Sequence, residues 1–131
     1  MDYSRLRLKR SPNQYLVAPL GTTADPPHRV APVFEMPVEK LAAQFRSHAL
    51  SQPRVAMPYV SADGRDLELV QRSKVFRFPD KISVRFLALA LNKSTLIVYS
   101  RAKYGYRDFG VNRKRIDAWL AALGAVSPAG P

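Results

Sequence analysis

The residues best suited to chemistry lie in one stretch near the C-terminus, Ser100 to Asp117. Its sequence, SRAKYGYRDFGVNRKRID, combines many cations and three aromatic side chains with only two carboxylates. The apolar spacing that follows predicts a helix that begins near Asn112, a favourable N-cap residue. Arg113, Lys114 and Arg115 would then occupy its first turn. Cations there oppose the helix dipole, whereas the free backbone N–H groups beside them could accept an anion.

The same stretch supplies the candidate binding residues. We expect an anion-accepting loop before the last helix. The ligand-binding candidates are Arg101, Arg107, Asn112, Arg113 and Arg115, and the loop-shaping candidates are Gly105, Asp108 and Gly110. In the alternative interpretation, Asp108 and Asp117 pair with the arginines and Asp108 caps the helix entry. The stretch would then hold the fold together rather than a ligand.

Residue types that commonly carry catalysis or bind metals are scarce. The chain has no cysteine, and its two histidines, His28 and His48, lie in a loop and on a helix flank without any HxH or HExxH pattern. Gly-rich phosphate loops and nucleophile elbows are also absent from the sequence. We therefore expect a non-enzymatic binding or accessory domain with no cofactor and no metal. The alternative is an enzyme of unknown class that uses Asp108, Tyr106 and an arginine of the same loop.

The charge balance concerns partners rather than fold. Lys and Arg number 21 against 10 Asp and Glu, which gives a net charge of +11 and an isoelectric point near 10.5. Such a surface attracts nucleic acid, anionic lipid or acidic proteins. No RNA-binding sheet motif or helix-turn-helix spacing accompanies the charge. Non-specific association with nucleic acid or anionic membrane is therefore a third hypothesis.

The location suggested by the sequence is cytoplasmic. No segment approaches the ~20 apolar residues needed to span a bilayer. The N-terminal MDYSRLRLKRSP has cations without a following apolar run, so it does not read as a secretory signal.

Periodic patterns predict the elements that position the C-terminal stretch. Residues 1–33 contain several prolines and no helical period, so we expect an extended arm with a short strand at QYLVAP. Residues 34–124 would form a single α+β domain, and 125–131 a tail. Between Met36 and Pro53 an apolar stripe predicts the first helix. A second stripe ending at Gly124 predicts the last helix.

Between the helices, four alternating or β-branched segments predict strands: RVAMPYV, DLELVQRS, ISVRFLALAL and STLIVYS. Turn signals at Asp63-Gly64 and Asn92-Lys93 join them as hairpins. We expect an α+β fold in the order α-β-β-β-β-α. Its antiparallel sheet would have about four to five strands, with both helices packed on one face.

Three motifs resemble a known family. The segment VYSRAKYGYRDFGVNRKRIDAWLAAL is similar to the C-terminal signature of the bacterial and plastid family called domain of unknown function 1499. SPN at 11–13, and Phe78 with Asp80, resemble its other motifs. The C-terminal matches are Ser100, Arg101, Gly105, Asp108, Gly110, Val111, Asn112, Arg113, Arg115 and Ile116. The resemblance implies no established reaction, and it implies that relatives are often exported or membrane-attached.

Overall fold

The computed structural model describes residues 1–105, 108–124 and 127–128 of the chain. Tyr106 and the binding candidate Arg107 therefore lie outside the described residues. A short 3-10 turn, Tyr3–Arg5, comes first, and the two α-helices are α1 (Val38–Ser51) and α2 (Val111–Ala122). The strands are β1 (Gln14–Ala18), β2 (Arg29–Val30), β3 (Pro32–Val33), β4 (Val55–Val60), β5 (Asp66–Arg72), β6 (Pro79–Ala90), β7 (Lys93–Ala102) and β8 (Ser127–Pro128).

Both helices form where the apolar stripes predict them. Helix α1 follows Pro37 and buries Val38, Leu41, Phe45 and Ala49 along one side. Helix α2 buries its own stripe, which comprises Ile116, Trp119, Leu120 and, just past the helix end, Leu123. The two stripes join a single core cluster with the inward side chains of β5, β6 and β7. The helices therefore cover one face of the sheet, as predicted.

The sheet contains the predicted antiparallel meander and two further strands. Strands β4, β5, β6 and β7 pair in sequence, and the full order is β2-β1-β7-β6-β5-β4. Strand β1 is antiparallel to β7, whereas β2 is parallel to β1, so the six-stranded sheet is mixed. The expectation of four to five antiparallel strands is thus approximate. Strands β3 and β8 form a separate two-stranded pair.

The N-terminal residues cover the second face of the sheet. Tyr3 and Leu6 pack with Leu16, Ile97 and Tyr99 in a cluster opposite the helices. Every residue of β1 is buried because one side of the strand faces the helices and the other faces this cluster. Residues expected to form an extended arm thus supply an interior strand and a cover for the outer face.

The end of the sheet beside the start of α2 positions the candidate site. The backbone N–H of Ala102 donates to the Asn13 carbonyl at 2.9 Å, and that of Lys103 donates to the Pro79 carbonyl at 3.2 Å. These bonds bring the starts of β1 and β6 to the end of β7. Neither of the two α-helices in the described part of the chain has the length and apolarity to cross a membrane.

Candidate functional site

Asn112 is the centre of a buried polar network. It is the second residue of α2 and is fully buried, and Gly110 occupies the N-cap position in a left-handed conformation (φ 79°). The prediction that Asn112 is the N-cap is therefore wrong by two residues. Its side-chain Oδ1 accepts from Ser100 Oγ at 2.6 Å and from an Arg115 guanidinium nitrogen at 2.8 Å. Its Nδ2 donates to Asp108 at 2.6 Å.

Asp108 fills the helix N-terminus that the sequence suggested for an anion. Its Oδ1 accepts from the Gly110 backbone N–H at 2.9 Å, and its Oδ2 accepts from that of Asn112 at 3.2 Å. The Asp108 backbone carbonyl accepts from Val111 N–H. A carboxylate at this end of a helix also offsets the repulsion between the dipole and a cationic first turn. The chain thus supplies its own anion at this position, as the structural interpretation of the stretch expects.

Arg115, on α2, is held by a carboxylate from strand β6. One of its guanidinium nitrogens lies 2.8 Å from Asp80 Oδ2, and the two side chains are only 9% and 15% exposed. The other terminal nitrogen donates to Ser100 Oγ at 3.1 Å, and Nε donates to Gln71. Asp80 is the second residue of β6, and Gln71 lies near the end of β5. The guanidinium therefore ties α2 to three strands.

The other two predicted anion-binding arginines lie elsewhere. Arg113 is exposed on α2, 3.8 Å from Asp117, with its guanidinium over the Tyr15 ring. Arg101 points to the opposite face of the sheet, where it donates to Ser83 Oγ at 2.8 Å and lies over the Tyr99 ring. Burial lowers the pKa of Arg101 from its ordinary value. The structure thus brings Asn112, Asp108 and Arg115 together and separates Arg101 and Arg113 from them.

The predicted loop-shaping residues have two different roles: Asp108 caps α2, whereas Gly105 and Gly110 supply backbone turns with positive φ. Asn13 donates its side-chain N–H to the Gly105 carbonyl. Asn13, Asp80 and Ser100 come from stretches far apart in sequence, yet all reach one network around Asn112. Sequence reasoning missed Asn13 and Gln71 as members. A polar Ser100 at an inward position of an otherwise apolar strand was the available signal for this network.

An open pocket of about 750 Å³ lies against the network. Asp80, Asp108 and Arg115 form its polar wall, and Phe78 and Trp119 contribute apolar surface. Its remaining lining includes the exposed cations Arg54, Arg72 and Lys114 and, from α1, His48. Among the described residues, no group of three or more His, Cys, Asp or Glu side chains could hold a metal. The pocket therefore offers cations and aromatic rings rather than metal ligands.

A smaller cavity of about 370 Å³ lies on the other side of Asp108. Tyr15, His28 and Arg113 line it. The Tyr15 hydroxyl donates to Asp117 at 3.0 Å, and burial, followed by this bond, raises the pKa of Tyr15 to about 12. His28 Nδ1 accepts the Leu16 backbone N–H at 2.9 Å, which leaves a neutral imidazole protonated at Nε2. Partial burial, and secondly the Arg113 charge, lower the pKa of His28.

Fold and site together define a class of protein: a basic α+β domain with a buried polar network beside an open pocket. The chain belongs to the family described as protein of unknown function (DUF1499), whose sequence model matches residues 7–123. That match includes the segments around Asn13, Asp80 and Asn112 that meet in the network. None of the curated proteins matches the chain.

Proposed function

We propose that this protein is a binding domain whose 750 Å³ pocket takes a small anionic ligand with an apolar part. The observation that carries the proposal is the charge on the pocket lining. Arg115 is neutralised by Asp80, and Asp108 is engaged by the backbone N–H groups of α2. The lining charges without a carboxylate partner among the described residues are Arg54, Arg72 and Lys114.

The apolar part of the ligand is expected to lie against Phe78 and the small exposed edge of Trp119. Trp119 is held in the core by Phe45, whose ring packs edge-on at a centroid distance of 5.9 Å, so the indole is fixed before a ligand arrives. A preformed surface reduces the ordering cost of binding. An apolar pocket with a few convergent polar groups is also the usual form of a small-molecule site.

This site differs from the one that the sequence suggested. Arg115 and Asp108 belong to the pocket wall, where they organise the structure, and Lys114 takes the place expected of Arg113. Arg101 lies on the other face of the sheet and has no part in the proposal.

The test is binding of 1-anilinonaphthalene-8-sulfonate, an aromatic anion, compared with the neutral dye N-phenyl-1-naphthylamine. Trp119 is the sole tryptophan, so energy transfer from it to the dye reports binding to the protein, and the variants below show whether the dye is in this pocket. Lys114→Gln is expected to weaken sulfonate binding by up to about five-fold, since an exposed charge contributes up to about 1 kcal/mol. It should leave binding of the neutral dye unchanged.

Arg113→Gln is the matched control, because it removes one positive charge from the adjacent exposed position of the same helix turn but does not line this pocket. Equal losses in the two variants would mean that general charge attracts the anion. Equal affinity for the charged and neutral dyes would refute the proposed anion preference.

A further inference from the structure

Four exposed apolar residues cluster at the end of the sheet that carries the pocket. Val75, Phe76 and Phe78 lie in or at the end of the connection between β5 and β6, and Tyr104 follows β7; each residue is between 54% and 76% exposed. The rings of Phe76 and Phe78 stack with centroids 5.5 Å apart, and the Tyr104 ring lies 6.1 Å from that of Phe78. We call this set the aromatic tip. A contiguous exposed apolar patch, unlike a single exposed side chain, indicates an interaction surface.

Hydrogen bonds hold the β5–β6 connection in this shape. The Ser73 backbone N–H donates to the Phe78 carbonyl at 3.0 Å, and the Phe78 N–H donates to Ser73 Oγ at 2.9 Å. The Arg72 guanidinium closes the loop by donating to the Arg77 carbonyl at 3.0 Å. The phenylalanines are therefore presented outward by a closed loop.

Cations surround the aromatic tip. Lys74 and Arg77 alternate with its apolar residues in the sequence SKVFRF, and the Lys103 ammonium lies 5.6 Å from the centroid of the Tyr104 ring. None of these three cations forms an ion pair with a described residue. The carboxylate nearest to Arg77 in sequence, Asp80, is occupied by Arg115. The tip thus combines apolar surface with unneutralised positive charge.

We propose that the aromatic tip docks this protein on the surface of an anionic phospholipid bilayer. Rings and Val75 would enter the boundary between headgroups and acyl chains, while Lys74, Arg77 and Lys103 face the lipid phosphates. A single-stranded nucleic acid fits less well, because base stacking needs free ring faces. The stack of Phe76 and Phe78 covers one face of each ring, and Val75 has no ring.

The docking surface and the pocket can be tested separately. Val75 and Phe76 belong to the tip and do not line the pocket. Val75→Ser/Phe76→Ser should therefore weaken docking and leave sulfonate dye binding unchanged. Lys114→Gln should weaken sulfonate dye binding and leave docking on vesicles unchanged.

The experiment is flotation of the full chain with phosphatidylcholine vesicles, with and without about 30% phosphatidylserine, at about 0.15 M salt. We expect binding to the anionic vesicles, and about a tenfold or larger loss in Val75→Ser/Phe76→Ser. Lys74→Gln/Arg77→Gln should lose about 10- to 30-fold. The four substituted side chains, at positions 74–77, are exposed. The melting temperatures of both variants should therefore match that of the parent protein and confirm that the variants fold.

Two control variants separate docking by the aromatic tip from non-specific hydrophobic adsorption and from general charge attraction. Leu91→Ser changes an exposed apolar residue at the turn between β6 and β7, and Lys40→Gln/Arg46→Gln removes the same charge from the exposed side of α1. Both should bind vesicles like the parent protein. The proposal is overturned if anionic vesicles are not bound, or if either control loses as much as its tip counterpart. It is also overturned if the tip variants weaken binding to single-stranded DNA, measured alongside, and leave vesicle binding unchanged.

A label gives a second readout of insertion. Because the chain has no cysteine, Val75→Cys can carry a single environment-sensitive nitrobenzoxadiazole group, with Leu91→Cys as the control. We expect a blue shift and increased emission on anionic vesicles only for the label at position 75. The same response at both positions, or at neither, would contradict insertion of the tip.

Discussion

Asp80→Asn tests whether the contact between α2 and the strands depends on a buried charge pair. The substitution keeps the shape of the side chain and removes the charge that faces Arg115 at 2.8 Å. Arg115 then remains 9% exposed, with Ser100, Asn112 and Gln71 as its described partners, none of which carries a charge. An uncompensated guanidinium in this position is unfavourable because little water reaches it.

Removal of one partner from a buried pair costs about 3–5 kcal/mol. The open pocket lies beside Asp80, so we expect the lower end, about 3 kcal/mol, in the free energy of unfolding. A small domain has about 5–15 kcal/mol in total, so the variant should still fold. Replacement of both partners, in Asp80→Asn/Arg115→Gln, should cost less than the sum of the single changes by about 1.5–3 kcal/mol.

Urea unfolding followed by Trp119 fluorescence measures all members of this cycle. Asp66→Asn is the control, because Asp66 pairs with Arg85 at a similar 2.7 Å while those side chains are 30% and 36% exposed. That exposed pair should be worth about 1 kcal/mol or less. If Asp80→Asn costs no more than Asp66→Asn, or if the cycle is additive, the pair is not the structural tie that its burial suggests.

Two further predictions concern His28 and Arg54. The pKa of folded His28 is lowered from 6.5, so between the two values the unfolded chain binds more protons. The contribution of His28 to the free energy of unfolding should therefore be level above pH 6.5 and fall as the pH drops below it through the folded-state pKa. Urea titrations should show this fall reduced in His28→Gln; an identical profile in that variant would contradict it. Arg54 has φ 59° while its Nε donates to the Arg72 carbonyl, so both Arg54→Gly and Arg54→Ala lose that bond, but only glycine relieves the backbone. By thermal melts, Arg54→Gly should be about 1 kcal/mol more stable than Arg54→Ala, and equal stability would argue against strain there.

Local patterns in the sequence were sufficient for most of the fold. Both helices could be predicted because apolar side chains recur every three or four residues along them. The Asp63-Gly64 pair marks the hairpin between β4 and β5. The short strand predicted at QYLVAP is β1, but its place inside the sheet could not be predicted in the same way. QYLVA has no alternation because both of its sides are buried, and its partner β7 lies about eighty residues away.

The candidate site also combines features that local sequence predicts with features that depend on distant parts of the chain. Sequence alone identified the segment from Ser100 to Asp117, its family signature and both of its possible roles, because residue types and spacing are local properties. The tertiary structure decided that Asp80 neutralises Arg115 and that Arg101 lies on the sheet face opposite the helices. Those outcomes depend on which strands become neighbours and on which face the helices cover, and neither is a local property of the chain. The Asp108 cap, by contrast, joins residues two to four positions apart and was one of the alternatives open to the sequence.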